Sequence, residues 1–282
     1  MLNIKQKETL KSLSKLKTSL ARRPTKRDSS QLYSLSQKYF GSWNNLMNAG
    51  GFEVSHNQYP EIPQILSPEL AYFLGLVITD GHVQHTSFKQ KERSTCYIYT
   101  SYESEVEIIT PLIQEIFNYT PKIYPKKKKG FNKRVNYQIS INSKPLACFL
   151  NKKFSIPFGA KSHFLKVPSA ILNSTKINKA SFLRGVIDGD GSIKKNKVLS
   201  ICSASRIFLR GINKILNSLD IQTKNILISG SIFLIYISNK RDLNRIYFNC
   251  YKNQKYCYLR KIISLEKIIF KSGELEQNKV LA

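Results

Sequence analysis

The chain has 282 residues, 41% hydrophobic and 11% aromatic, which is enough apolar material for a packed core and too much for a chain disordered throughout. Its 45 Lys and Arg against 18 Asp and Glu give a formal net charge of +27, which points to a polyanion, because neutralising phosphates releases condensed counterions. No apolar run approaches the roughly 20 residues of a membrane span, so a membrane partner is not expected, and nucleic acid remains, with a basic ribosomal protein as the bland alternative.

Leu10, Leu13, Leu16 and Leu20 recur at helical spacing among Lys and Ser, so residues 1–20 are expected to form one amphipathic helix. Arg22-Arg23-Pro24-Thr25-Lys26-Arg27-Asp28 breaks it, and a second helix is expected to run to about Phe40. Gly41-Ser42-Trp43 reads as a turn in which Ser42 caps a short third helix, stopped by Gly50-Gly51. Together these make residues 1–55 a small helix-turn-helix-like module, with Arg22, Arg23, Lys26 and Arg27 as candidate DNA contacts. The competing reading is a plain helical extension. Residues 56–68, with Pro60, Pro63 and Pro68, read as a linker.

From residue 69 the chain repeats a plan. Phe73-Leu74-Gly75-Leu76-Val77-Ile78-Thr79-Asp80-Gly81 and Leu183-Arg184-Gly185-Val186-Ile187-Asp188-Gly189-Asp190-Gly191 are two versions of one motif. Each reads as an apolar helix with a glycine on one face, closed by an acid and a helix-stopping glycine. An acid there is electrostatically misplaced, because a helix C-terminus already carries partial negative charge, so a compensating cation is expected. After the first motif, strands are expected at His82–Phe88, Cys96–Ser101, Lys122–Lys126 and Tyr137–Ile141, with helices at Glu103–Phe117 and Lys144–Phe154. After the second, strands are expected at Ser192–Lys195, Val198–Ser203, Ile226–Ser229 and Ile232–Ser238, with helices at Arg206–Leu219 and Arg241–Asn249. The fold class is therefore α+β, a pseudo-twofold tandem repeat of α-β-β-α-β-β-α with subdomains at 69–172 and 173–282. Aligning the halves sets Lys161 opposite Lys255.

The two motifs are similar to the LAGLIDADG signature of homing endonucleases, and the resemblance covers residues 69–270. Arg23-Pro24-Thr25 and Phe40-Gly41-Ser42-Trp43 resemble the helical repeat associated with those enzymes. The resemblance implies a single-chain, monomeric endonuclease that cuts both strands of a long DNA site and leaves short 3′ overhangs. It implies that Gly75 and Gly185 let the two motif helices approach. Asp80 and Asp190, with Gly81 and Gly191 beside them, would then hold a divalent metal, magnesium with manganese able to substitute. Lys161 and Lys255 would be the basic residues beside each cut, with Lys194 and Lys195 as competitors. The two sheets would form a basic saddle on double-stranded DNA. Its candidate contacts are His82, Gln84, Lys89, Lys126, Lys127, Lys128 and Gln138 in the first half and Lys194, Lys197 and Tyr236 in the second. Asp188 faces Ile78 in the repeat and reads as a local polar contact.

Two other readings use the same scaffold: an RNA maturase binding its host intron RNA, and a non-cutting DNA-binding regulator. The chain shows no splice-junction residues at Met1 or at Val280-Leu281-Ala282, so an embedded intein fragment is not expected. The five cysteines make no CxxC pair and suit a reducing compartment, the cytoplasm of a prokaryotic or viral host, with an organellar matrix as the alternative.

Overall fold

The computed structural model describes residues 2–20, 22, 24–52, 59–88, 91–127, 135–194, 198–223 and 225–270. Among the expected contacts, Arg23, Lys89, Lys128 and Lys197 lie outside the described residues, as does the competitor Lys195. The chain divides into two compact units, Met1–Gln58 and Tyr59–Ala282.

Among its described residues the first unit holds three helices, α1 (Ile4–Leu20), α2 (Ser30–Phe40) and α3 (Trp43–Ala49). Ser29 and Ser42 cap α2 and α3, accepting from the amides of Leu32 and Asn45 at 3.1 Å. Gly41 ends α2 in the left-handed region, where a residue without Cβ fits best. Leu13, Leu32, Leu46 and Met47 form the small core. The loop before α2 is tied by Asp28, which accepts from the Arg22 guanidinium at 2.6 Å and from the amide and hydroxyl of Thr25 at 2.7 and 2.8 Å. Arg22 holds the Asp28 carboxyl well below the usual carboxylate range. Lys26 and Arg27 are exposed beside it.

The second unit is built from two halves of one plan. The first half runs α4 (Pro68–Thr79), β1 (Gly81–Phe88), β2 (Lys91–Thr100), α5 (Glu103–Phe117), β3 (Lys122–Lys127), β4 (Val135–Asn142) and α6 (Lys144–Phe154). A short α7 (Ser169–Leu172) precedes the second half: α8 (Lys176–Asp190), β5 (Gly191–Lys194), β6 (Val198–Ser203), α9 (Arg206–Ser218), β7 (Leu227–Ser229), β8 (Ile232–Ile237) and α10 (Lys240–Ile246). Each half carries a four-stranded antiparallel sheet, in the orders β1-β2-β4-β3 and β5-β6-β8-β7. The expected repeat is therefore present.

Three details differ from expectation. Residues 59–67, read as linker, pack on this unit. Pro60 is buried, Ile62 and Leu66 lie against the core, and the Leu66 carbonyl accepts from Asn178 Nδ2 at 3.0 Å. The last expected helix changes after Ile246 into a π-helical turn, Tyr247–Tyr251. A further helix, α11 (Leu259–Ile269), follows, and it carries residues of the site described below.

Period-2 alternation divides each sheet. The register Val83–Cys96–Ile141 in one half, and Ile193–Leu199–Ile237 in the other, turns apolar residues to the core. Both halves share one continuous core, including Tyr72, Phe73, Phe117, Phe182, Phe208, Tyr251 and Tyr258. Each such side chain withdrawn from water contributes roughly 1.5–3 kcal/mol. That core fixes α4 against α8, the pair on which the candidate site depends.

Candidate active site at the paired helix ends

α4 and α8 cross at their glycines. A Cβ on Gly75 would lie 2.5 Å from the Phe182 carbonyl oxygen and 2.8 Å from Gly185 Cα. One on Gly185 would lie 2.3 Å from the Tyr72 carbonyl oxygen. Backbone meets backbone here, so any side chain would force the helices apart. The seam continues to the helix ends, where a Cβ on Gly189 would lie 3.1 Å from Asp80 Oδ2. Asp80 follows α4 directly, and Asp190 is the last residue of α8. The fold thus brings together two acids 110 positions apart in the chain.

Burial pushes the Asp80 carboxyl up to about 7, helped by the negative charges of Asp190 and Glu105 and opposed by Arg260 and Lys161. Asp190 reaches solvent on one side, yet the protein crowded around its carboxyl raises it too, against Lys161 and Lys261. Two acids raised by burial are not stabilised by their surroundings as anions.

Each helix end also holds a lysine. Lys161 Nζ donates to the carbonyls of Val77 and Gly81, both at 2.5 Å. Lys261 Nζ, on α11, donates to the carbonyl of Gly191. Burial lowers both amines to about 8. An ammonium on the last carbonyls of a helix offsets its partial negative charge. Part of the compensating cation that the sequence demanded is therefore supplied by the chain itself.

Lys255 does not take the place its sequence alignment assigned. Its side chain is 71% exposed and pairs with Glu115 at 2.5 Å and with the Tyr256 ring. The alignment of residues 159–165 with 253–259 misplaces the lysine because the second half reaches its motif glycine from within α11. The helical spacing of Ile262, Leu265 and Ile269 was the sequence signal for α11, and through it for Lys261.

Asp188 lies on the same helix but faces the core. It is fully buried and accepts from Tyr72 Oη at 2.7 Å, Tyr251 Oη at 2.8 Å and the Tyr258 amide at 2.9 Å. Arg184, one turn earlier, donates to the Cys250 carbonyl at 2.9 Å and lies over the Tyr72 ring. This network ties α4 to the second half and explains why only one motif carries an acid at that position.

The outward rows of the sheets carry several expected contacts. His82 stands in a row with Tyr97, Ser140 and Lys122, and Ser192 in a row with Ser200 and Tyr236. Gln84 is half-buried, while Lys126 and Lys194 are exposed. Gln138 points outward between Tyr99 and Tyr124 but is covered, only 8% exposed. Lys127 ends β3. Tyr97 and Lys122 were not anticipated, because their faces depend on strand register.

The donor set at Asp80 and Asp190 is hard oxygen. Among the described residues no three or more His, Cys, Asp and Glu side chains gather as a metal cage. Two carboxylates, with water and phosphate completing the shell, suit magnesium, which keeps waters and takes few protein ligands.

Comparison with known proteins agrees with this geometry. A family model described as a LAGLIDADG-like domain matches residues 67–153 and 178–267, together more than half of the chain. A segment within one of the subunits of the A-type ATP synthase from Pyrococcus abyssi is 30% identical over 189 residues, 66% of this chain and 17% of that protein. A probable translation initiation factor IF-2 from Methanocaldococcus jannaschii is 29% identical over 44% of this chain and 11% of its own length. The chain thus spans about a sixth or less of the curated relatives it matches. Among solved structures, I-DmoI in complex with DNA and Mn has a TM-score of 0.53 at 20% identity, covering 67% of this chain and 99% of that one. The same protein with DNA and Ca has a TM-score of 0.56 at 20% identity, covering 71% and 98%.

Proposed function

The chain belongs to the LAGLIDADG-like domain family, and from that premise we propose that it is a single-chain homing endonuclease. It cuts both strands of a long duplex site and leaves short 3′ overhangs. The observation that carries this reading is the meeting of Asp80 and Asp190 at the ends of two helices crossed glycine on glycine.

Asp80 and Asp190 would hold the divalent ion, magnesium or manganese, which supplies charge to polarise the phosphate and to activate water. In each cut the water oxygen bonds phosphorus and the bond to the 3′ oxygen breaks. That oxygen takes a proton, leaving a 3′ hydroxyl and a 5′ phosphate, and the remaining proton passes to solvent. Lys161 and Lys261 hold the helix-end carbonyls and keep both acids in register, in place of the pair Lys161 and Lys255. The outward sheet rows around His82, Tyr97, Ser192 and Tyr236 lie along the duplex. The first unit adds a second DNA contact through Arg22, Lys26 and Arg27.

Support for a mobile element comes from the relatives. ATP synthase, an initiation factor and a DNA polymerase share no activity by name, so what each has in common with this chain is not what those names describe. The two solved structures named above are complexes with DNA and Mn or Ca, which favours DNA over intron RNA as the partner. The five cysteines are free, as a reducing compartment would leave them, and we place the protein in the cytoplasm of its host.

Magnesium-dependent cleavage of a randomised duplex library, beside the Asp80→Asn, Asp190→Asn double variant, tests the reading. Cutting at one long site by the wild type alone supports it. Specific binding by both without cutting rejects it.

A further inference from the structure

The outward faces of the two sheets carry opposite chemistry. Gly81 pairs with Ile98 and Gly191 with Ile201, which matches the strands of one half to those of the other. In the first half the outward row Tyr99–Gln138–Tyr124 crosses β2, β4 and β3. The matching row in the second half is Cys202–Leu234–Leu227, across β6, β8 and β7. Every member of the first row carries a phenol or an amide, groups that hydrogen-bond a base edge. The second row holds one small thiol and two leucines, which offer no strong donor or acceptor.

Core packing does not account for that row. The same strands turn Ile201, Ile235 and Phe233 to the core, so Cys202, Leu234 and Leu227 point the other way. Leu227 is 49% exposed, Cys202 and Leu234 are half-buried, and Ile232, which opens β8, extends the apolar strip. A contiguous apolar strip on an open face marks a binding surface. Its neighbours identify the occupant. The next row along the strands is Ser192–Ser200–Tyr236, with exposed Lys194 beyond it, on a chain of net charge +27. A duplex lying on those residues also covers the apolar row. Three strands in a row span roughly 10 Å, a width that the major groove of about 12 Å admits. Of the four base edges in that groove, only thymine presents an apolar group, its C5-methyl.

We propose that Cys202, Leu234 and Leu227 read thymine methyl groups in the major groove of one half-site, so that the two halves of the target are specified by different chemistry. The apolar row gains by withdrawing each methyl from water, and it rejects cytosine and guanine by leaving their polar edges without partners. The Tyr99–Gln138–Tyr124 row serves hydrogen bonding in the other half-site. The proposal rests on the reading of the two sheets as the duplex-binding face and does not depend on cleavage.

The test measures binding rather than cutting. A target is selected by binding from a randomised duplex library in EDTA, and each thymine is then replaced in turn by deoxyuridine, which lacks only the methyl. Neighbouring thymines in one half-site should each lose about fourfold in affinity, the effect of leaving one methyl out of contact. Deoxyuridine in the other half-site should leave affinity nearly unchanged. Leu227→Ala, an exposed position whose truncation should not move the melting midpoint, is expected to bind the thymine target more weakly. Its deoxyuridine penalty at one thymine should fall below about twofold, as it must when the two groups touch. Leu234→Gln should exchange a thymine preference for adenine, whose edge the amide bonds twice. A selected target without thymine in either half, indifference to deoxyuridine throughout, or an unchanged penalty in Leu227→Ala overturns the proposal. The thymine pattern without magnesium-dependent cleavage supports the proposal and rejects the nuclease reading. Failure to select any duplex rejects both.

Discussion

Lys161 and Lys261 make the same contact in opposite halves: each donates its ammonium to the carbonyl of the glycine that follows a motif acid. Their neighbours in sequence share nothing, since one sits in an irregular segment and the other in the first turn of α11. The pairing exists because a helix ending in a carboxylate needs positive charge at its last carbonyls, and either backbone route can supply it.

Replacing either lysine by Met should leave buried carbonyls unpaired. The cost is expected to be about 1–3 kcal/mol in urea unfolding, and cleavage should fall with it. Lys255→Ala should stay within about 0.5 kcal/mol of wild type and cleave normally, since its pair with Glu115 is exposed. Equal effects from Lys255 and Lys261 would reject the assignment.

The glycine seam predicts a sharp size limit. Gly75→Ala and Gly185→Ala each drive a methyl into backbone atoms closer than 3 Å, which should destabilise by about 1–3 kcal/mol or more, because neither helix can yield without disturbing the shared core. Gly230→Asn is the control. Its Cβ would meet nothing within 4 Å, and Asn tolerates the left-handed backbone there. Thermal melts of the three variants decide it.

Asp188→Ala removes the acceptor for two tyrosine hydroxyls and one amide and leaves the Arg184 charge uncompensated. Truncating one member of a buried charged network typically costs about 3–5 kcal/mol. The loss should appear in a metal-free melt, where a residue acting only in the reaction would have no effect.

Cysteine labelling separates the thiols. Burial pushes Cys96 and Cys250 up to about 12, so neither should react with a maleimide at neutral pH until the chain unfolds. Cys148, Cys202 and Cys257, all partly exposed, should label before either. Mass spectrometry across a urea series reads both, and early labelling of Cys250 would contradict the described core.

How much of this could be read from the chain depends on the range of each interaction. The motif helices and most strands follow from local periodicity, and Ser29, Ser42, Ser67 and Thr175 cap helices where a short polar residue precedes an apolar run. The α11 pattern was equally local but lay beyond the last copied element of the repeat. Strand register decided which of Tyr97 and Tyr99 shares a row with His82, and a one-residue slip exchanges the faces.

By itself, the sequence determined the doubled architecture, the glycine crossing and the convergence of Asp80 and Asp190. A motif present twice on apolar helices leaves few ways to bury both. Tertiary structure alone decided which lysine holds the Gly191 carbonyl, why Asp188 is single, and that Glu105 meets Arg260 across 155 positions. Those contacts join side chains from separate elements. No local period encodes them, and their energies depend on the burial that only the assembled core creates.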